Sequence, residues 1–456
     1  MTDTIAAIST AFGEAAISVL RLSGADALRI ADKIFTGKLK LAEAAPRTAH
    51  HGRILDAEGR AMDSVILTVF KAPASYTGED VIEISAHGGV LVTRRIFEQL
   101  LQHGARAAGP GEFTQRAFLN GKMDLTQAEA VMDLIHAQSE LALQAATRQL
   151  EGRLGKVADA IRNDLIQIVA HVEAYIDFPD EDIDPDTGAA LKRRLESIHA
   201  QLRSLLDSAE HGRILRSGAR TVICGAPNVG KSSLLNALSG HDRAIVSAQA
   251  GTTRDTIEEV LHIHGLPFVL VDTAGLREHT SDFIESEGMD RTRRELERAD
   301  VIIEVVDGSL SQSEAQRVPM ASGHRGHLLV LNKADAGLHP TWEMADGRWQ
   351  MGECIALSCV NGEGIEELRA AMRDAVWSGA GAGGDQLVAI NARHQRCFQR
   401  ASEAMEDAED AFDHDEAPEI IAFELREALQ AVGEVTGRVD VEEILDSVFS
   451  QFCIGK

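Results

Sequence analysis

Paired cysteine chemistry is the first thing this sequence lacks. Its five cysteines (Cys224, Cys354, Cys359, Cys397 and Cys453) are odd in number, with no C-x-x-C and no Cys/His pair at zinc spacing. A disulfide framework and a structural zinc are therefore not expected. No apolar run approaches the roughly 18 residues of a membrane-spanning helix. The opening MTDTIAAIST carries Asp3 and neither a basic n-region nor an Arg/Ser-rich leader, so the expected compartment is a reducing, bacterial-type cytoplasm. The closing Cys453-Ile454-Gly455-Lys456 ends on a poor residue for prenylation. No internal repeat is visible. Positive charge is scarce: 45 Lys and Arg face 71 Asp and Glu, a net of −26. Taken as a sum, that disfavours a nucleic-acid binder, whose phosphate contacts call for clustered Lys and Arg.

What is present fits a folded, multidomain chain. At about 150 residues per domain, the 456 residues correspond to about three domains. The 44% apolar and 25% charged content matches globular usage and excludes wholesale disorder. Acid is unevenly spread. Residues 401–450 hold 16 acidic residues against Arg426 and Arg438, and 172–187 hold seven with no base; solvated helix faces and loops are the expected places for them. By contrast, 191–220 carry seven Lys/Arg against three acids, and 90–122 five against two.

The expected fold class is α/β and all-α multidomain. Residues 1–120 mix short apolar runs (ISVLRLSG, SVILTVF, VIEISAHGG) with helical stretches, as in an α/β domain. Thr126-x-x-Glu129 predicts a capping box, opening Ala/Leu/Gln-rich helical sequence to about Tyr175. A second helical stretch covers about 187–212. From Arg220 to about 376, TVIC, FVLVD, VIIEVVD, HLLVLN and CIALS alternate with helical segments, which predicts a mostly parallel, doubly wound sheet. SGAGAGG (378–384) is an expected linker, and 389–450 are expected to be helical. The domains anticipated are 1–120 (N-terminal α/β), 121–217 (helical, first part), 218–377 (P-loop nucleotide domain) and 378–456 (helical, second part). One interrupted helical domain and two separate ones would give the same pattern.

Chemistry is concentrated at strand ends. Gly225-Ala-Pro-Asn228-Val229-Gly230-Lys231-Ser232 fits G-x-x-x-x-G-K-[ST], between the strand TVIC and the helix that Ser233 continues. Its glycines turn backbone N–H groups onto phosphates, Lys231 reaches the β/γ oxygens, and the Ser232 hydroxyl ligates Mg²⁺. Asp272-Thr273-Ala274-Gly275 caps FVLVD, offering a carboxylate to the Mg²⁺ shell and an N–H to a γ-phosphate. Asn332-Lys333-Ala-Asp335 caps HLLVLN. Its Asp335 can accept from guanine N1–H and the 2-amino group, donors that adenine lacks, so GTP is selected over ATP. Gly251-Thr252-Thr253 lies where a switch loop offers a hydroxyl to Mg²⁺, and Ser358-Cys359-Val360 would support the base. Together these predict a GTPase domain. Leu276 follows Gly275 where Ras-like enzymes keep a water-orienting Gln. Another group must therefore orient water, and Arg277, Glu278, Asp282, Glu285 and Glu287 follow. The side-chain oxygen of Asn228 suits a monovalent cation that neutralises developing charge.

In this combination the chain resembles the MnmE (TrmE) family of tRNA-modification GTPases. GAPNVGKSSLLNAL, AGTTRD, DTAGLRE and NKAD carry the resemblance in the nucleotide domain. SYTGEDVIEISAHGG (75–89), PGEFTQRAFLNGKMDLTQAEAV (110–131), IDFPDED (176–182) and FCIGK extend it over essentially the whole chain. The resemblance implies a homodimer with an N-terminal folate-binding and dimerisation domain, a helical domain and an inserted GTPase. It implies potassium-dependent GTP hydrolysis in which two GTPase domains meet. It also implies a flavoprotein partner, MnmG, with which an aminomethyl- or carboxymethylaminomethyl-type group is placed on carbon 5 of the wobble uridine of certain tRNAs. The one-carbon unit would come from 5-formyl- or 5,10-methylene-tetrahydrofolate.

Carried onto this sequence, the resemblance gives K⁺ contacts at Asn228, Ser247, Gln249 and Thr252, with Ala248, Ala250 and Gly251 in the same nucleotide-binding stretch. Mg²⁺ ligands fall on Ser232 and Thr253, and the catalytic glutamate on Glu285, with Glu287 the alternative. Folate contacts fall on Arg21, Glu83, Lys122 and Lys456. Cys453 is either a thiol at the modification centre or a small packed hydrophobe. The chain departs from the family at AFGEAAIS (11–18), where a Gly/Pro-rich turn is frequent, and at Ser358-Cys359-Val360, where Ser-Ala-Lys or Ser-Ala-Arg is usual. A ribosome-assembly switch is the rival reading, but it calls for a basic appendage where this chain is acidic. A stand-alone folate aminomethyltransferase leaves the GTPase block unexplained. With tRNA as substrate, the net charge predicts transient, salt-sensitive RNA contact through 90–122 and 191–220.

Overall fold

A computed structural model describes residues 3–177, 188–240, 258–272, 294–317, 326–342, 354–377, 389–439, 445, 448–450 and 452–455. They divide into two compact units: Met1–Met132, Leu150–Ile166 and Leu429–Lys456 in one, Asp133–Gln149 and Gln167–Ala428 in the other.

In the first unit the alternating runs form a seven-stranded sheet. Its strands are β1 (Ile5–Ile8), β2 (Ile17–Ser23), β3 (Phe35–Thr36), β4 (Thr48–Leu55), β5 (Ala61–Phe70), β6 (Val81–His87) and β7 (Arg106–Ala107). The order is β3-β4-β5-β6-β2-β1-β7. Helices α1 (Ala27–Ile34) and α2 (Val90–Gln102) bury Ile30, Ile34, Ile96 and Leu100 against Leu20, Leu22, Ile82 and Ile84. Strand alternation then puts Arg21 and Glu83, paired in register across β2 and β6, on the opposite face. Phe113 of α3 (Glu112–Leu119) packs there with Ile5, Ala7 and Ala108.

The expected capping box is displaced. The helix α4 runs Leu125–His136, and Asp124 caps it: its carboxylate accepts from Gln127 N at 2.9 Å, while Asp124 N donates to the Gln127 side chain at 3.1 Å. Thr126 turns its hydroxyl onto Asp124, at 2.6 Å, because a carboxylate two residues earlier already satisfies the helix start. The helical sequence to Tyr175 is broken into α4, α5 (Glu140–Leu150) and α6 (Arg153–Asp177), with Gly152 at φ 80° in the second break. Phe449 and Phe452 pack on Leu125, Ala128 and Val131. Beyond them Ile454 bridges Pro110, and Ser9 Oγ donates to the Gly455 carbonyl at 3.3 Å.

In the second unit, the helix pair α7 (Gly188–Asp207) and α8 (Ala209–Ser217) leads into a six-stranded sheet. Its strands are β8 (Ala219–Cys224), β9 (Glu258–Ile263), β10 (Leu266–Asp272), β11 (Val301–Asp307), β12 (His327–Asn332) and β13 (Cys354–Ala356), ordered β13-β12-β11-β8-β10-β9. All neighbours are parallel except β9–β10. That hairpin, absent from the sequence reading, turns through His264 (φ 49°) and Gly265 (φ 81°), the pair of positive dihedrals a two-residue turn needs. Helices α9 (Lys231–Ser239) and α10 (Ile365–Val376) close a core of Phe268, Leu270, Val305, Val330, Leu234 and Leu368. Helix α11 (Ala392–Asp413) follows, opened by a reciprocal Asn391–His394 capping box, and then α12 (Pro418–Thr436), whose residues from Leu429 belong to the first unit. The linker 378–384 lies outside the described residues. Among those described, no helix is long and apolar enough to cross a membrane.

Candidate functional site

The nucleotide site grows from the C-terminal edge of the parallel sheet, where an open α/β fold collects its ligands. Strand β8 ends at Cys224, and Gly225 follows at φ 146°; a Cβ there would collide with the Val305 carbonyl oxygen of β11. Only glycine lets the loop turn so close beneath the sheet. Asn228, at φ 63°, and Gly230, at φ 101°, hold left-handed conformations, which for Asn228 stores strain at the loop crest. Gly230 caps α9, whose first turn presents Lys231 and the exposed Ser232 and Ser233. Lys231 Nζ donates to the carbonyls of Gly225 and Ala226 at 3.0 and 2.8 Å, which keeps the ammonium over the loop. Lys231 and Ser232 share a pocket with Ile223, Leu235, Leu270 and Val271. Backbone N–H groups, a helix N-terminus, an ammonium and a hydroxyl suit a magnesium-bound polyphosphate.

The base-binding side is tied to this loop. Asn332, buried at the end of β12, donates from Nδ2 to the Val229 carbonyl at 2.8 Å and accepts from Cys359 N at 3.4 Å. One side chain thus joins the phosphate loop, the Asn-Lys-Ala-Asp turn and the turn after β13. The buried Ser358 hydroxyl donates to Asp335 Oδ1 at 2.6 Å, fixing the carboxylate expected to meet a base. Val360 is 85% exposed and gives the base no cover of the kind a Lys or Arg stem supplies. Burial, and then the Asp335 carboxylate, push the Cys359 thiol up, so it stays protonated beside the base site.

Sequence reasoning passed over Asp307. It ends β11 directly opposite Asn332, and its Oδ2 accepts from Lys333 Nζ at 2.6 Å while Oδ1 accepts from Ser309 Oγ, also at 2.6 Å. Lys333 sits at φ 66°, so Asp307 anchors the side chain of a strained residue in the Asn-Lys-Ala-Asp turn. Its only sequence signal is an acid closing the apolar run VIIEVVD. Asp307→Asn is expected to weaken GDP binding about three- to tenfold, read by calorimetric titration; unchanged affinity would detach Asp307 from the site.

Other expected residues fall differently. Asp272 ends β10, as expected. Ser247, Ala248, Gln249, Ala250, Gly251, Thr252 and Thr253, then Thr273, Ala274, Gly275, Glu285 and Glu287, and finally Lys456, lie outside the described residues.

A second site belongs to the first unit. Arg21 Nε and Nη2 both donate to Glu83 Oε1, at 3.0 and 2.7 Å, and its guanidinium carbon lies 5.5 Å from the Tyr76 ring centroid and 5.7 Å from that of Phe113. Those distances are within cation–π range. Tyr76 Oη bonds Thr114 Oγ1 at 2.9 Å, and burial pushes its phenol up. Tyr76 and Phe113 lie inside the stretches that carry the family resemblance, but their contact with Arg21 had no signal there, because aromatic packing on a cation is a tertiary event. Lys122 is drawn onto the Pro73 carbonyl at 3.0 Å. Cys453 is exposed, and its carbonyl accepts from Gly111 N at 3.4 Å.

A glycine-rich loop under a helix N-terminus, joined through Asn332 to the Asn-Lys-Ala-Asp turn, defines a P-loop GTPase. Two family models match: the GTP-binding protein TrmE N-terminus over residues 4–122 and the MnmE helical domain over 125–453. The chain belongs to the MnmE family of tRNA modification GTPases. It is 51% identical to the tRNA modification GTPase MnmE of Akkermansia muciniphila, over 100% of both chains. It is 42% identical to that of Geobacillus thermodenitrificans, over 100% of this chain and 99% of the relative. Among solved structures it is similar to the G domain of the T. maritima FeoB iron transporter at 23% identity. That match covers 34% of this chain and 98% of the other, with a TM-score of 0.24.

Proposed function

We propose that this GTPase works in the cytoplasm as a homodimer, with a flavoprotein partner of the MnmG kind, to build an aminomethyl- or carboxymethylaminomethyl-type group on carbon 5 of tRNA wobble uridine. The observation that carries the reading is the second site. A GTPase that only switches has no use for a carboxylate–guanidinium pair under two aromatic rings, 62 residues apart in sequence. Both Arg21 bonds go to one oxygen of Glu83, and Oε2 is the acceptor for the N3–H and 2-amino donors of a pterin. The half-buried Tyr76 ring supplies a flat wall, with the buried Phe113 behind it. Lys122 and Lys456 are the proposed partners of the folate carboxylates. A tetrahydrofolate bound there supplies a one-carbon unit; the chain's own part is to orient it and exclude water. Binding of 5-formyl-tetrahydrofolate to the full chain is expected to weaken at least about tenfold in Glu83→Gln, since a carboxylate acceptor becomes an amide. Wild-type affinity in that variant, or no binding by the wild type, would remove the folate site.

The organisation proposed is a folate domain over 1–120, a GTPase domain over 218–377, and a helical domain made of 121–217 and 378–456. Ser232 and Thr253 are the proposed Mg²⁺ ligands. Asn228, at the strained loop crest, is the proposed K⁺ ligand with Ser247, Gln249 and Thr252, where the ion offsets charge developing between the β- and γ-phosphates. Hydrolysis is expected to run at least about tenfold faster in K⁺ than in Na⁺ at equal ionic strength, and Asn228→Ala to abolish the preference. Equal wild-type rates in the two salts would refute a potassium role. Cys453 is proposed as a thiol at the modification centre; full wobble modification by a Cys453→Ser protein would reduce it to packing.

A further inference from the structure

Both ends of the β9–β10 hairpin lead into segments expected to meet the nucleotide. Strand β9 begins at Glu258, shortly after Thr253, and β10 ends on Asp272. Strand β10 is held in the sheet by β8, in register from Phe268–Ala219 to Asp272–Ile223. Among the described residues β9 pairs with β10 alone, as the edge strand. A difference between GTP and GDP at either end of the hairpin is therefore taken up most readily by β9 and the turn.

That turn is covered by a helix. Leu141, Ala142 and Ala145 of α5 belong to one packed cluster with Leu261, Ile263 and Leu266 of the hairpin, and a Cβ on Gly265 would stand 3.4 Å from Leu141 Cδ1. Residues 141 and 145 are neighbours on one helix face, with 142 beside them, so one side of α5 is committed to the hairpin. The other turn residue, His264, lies 3.2 Å from Glu366 of α10, but that carboxylate is largely exposed and such pairs contribute little. Apolar packing on α5 is the firmer contact.

The opposite end of α5 is packed as well. The helix runs Glu140–Leu150, which puts Leu141 and Leu150 about 14 Å apart along its axis. Leu150 belongs to the first unit. There it packs with Leu125, Ala128, Phe449 and Phe452, and its carbonyl accepts from Gln127 Nε2 at 2.8 Å. Gly152, at φ 80°, separates α5 from α6, so α5 is a short rod of its own. Phe452 leads directly into Cys453, which is exposed, and Ile454, which bridges Pro110.

We infer that α5 carries the nucleotide state of the β9–β10 hairpin to the C-terminal stretch Phe449–Gly455, with Leu141 and Leu150 as the positioning residues at its two ends. The inference rests on the GTPase and is independent of the folate reading. A stiff helix gripped by apolar packing at each end transmits a displacement, because close-packed side chains do not absorb it. Nucleotide turnover thereby acts on the tail that holds Cys453.

Hydrogen exchange of the full chain, read by mass spectrometry with GDP and then with a non-hydrolysable GTP analogue, tests this. In the wild type, exchange of the peptide carrying Phe449 and Phe452 is expected to differ at least about threefold between the two nucleotides. Leu141→Ala is expected to abolish that difference while 258–272 still respond and GDP affinity stays within about twofold. Leu141→Met, which refills the contact, should restore it. Leu150→Ala cuts the far end: the C-terminal difference is expected to vanish while 141–149 still respond. No nucleotide-dependent difference in the wild-type peptide would overturn the inference. So would a C-terminal peptide that loosens by the same factor with either nucleotide in both alanine variants, its difference intact, which would make the two leucines merely structural.

Discussion

Asp335→Asn is expected to lower GTP affinity on the order of a thousandfold and to give the protein a preference for xanthosine nucleotides. Guanine presents two adjacent donors, N1–H and the 2-amino group, and a carboxylate answers both. An asparagine turns its own N–H toward one of them and leaves buried donors facing each other, the costly kind of mismatch. Xanthine carries a carbonyl in place of the 2-amino group, so the amide then finds an acceptor. The geometry makes the exchange clean. Asp335 Oδ1 is held by Ser358 Oγ at 2.6 Å, and the neighbouring turn is fixed independently by Asn332 on Val229 and Lys333 on Asp307. Calorimetric titration of the variant with GDP and xanthosine diphosphate reads both changes. GDP affinity within about threefold of wild type would place the base elsewhere.

Glu285→Ala is expected to reduce GTP turnover by about 10² to 10³ while leaving the GTP dissociation constant within about twofold. Leucine at 276 has no atom to accept a proton from water, so the water-orienting group of a Ras-like site is missing from its usual place. On the reading tested, a carboxylate on the segment that follows would replace it, and general-base catalysis would set the size of the loss. Because the residue acts on water and not on the nucleotide, the loss belongs in kcat. Glu287→Ala is the control: if it shows the larger loss, the role moves two residues along. Unchanged turnover in both would leave hydrolysis without a carboxylate.

Much of this site was legible in the sequence because it depends on side-chain chemistry at fixed spacing beside strands. Gly225, Gly230, Lys231, Asn332 and Asp335 announce themselves whatever the rest of the fold does. The parallel sheet was legible from runs such as VIIEVVD and HLLVLN, buried on both faces and so mostly apolar, with the buried Glu304 paired to Arg317. Other features depend on partners far away in sequence. Asp307 acquires its role from Lys333, 26 residues on, and Tyr76 and Phe113 acquire theirs from Arg21. The start of α4 went to Asp124 and not to Thr126 because two capping signals two residues apart compete, and the carboxylate prevailed. In the basic segments 90–122 and 191–220 the sequence counts charges, while folding pairs several of them, Arg116 with Glu112 and Arg220 with Glu295.

Mass analysis of wobble nucleosides tests the central claim most directly, using tRNA from cells that lack this chain and carry it back as wild type or as Glu285→Ala. Unmodified uridine at carbon 5 is predicted without the chain, restored modification with the wild type, and little with the hydrolysis-deficient variant. Full modification in cells without the chain, or equal rescue by both forms, would contradict a GTPase whose turnover drives wobble-uridine modification.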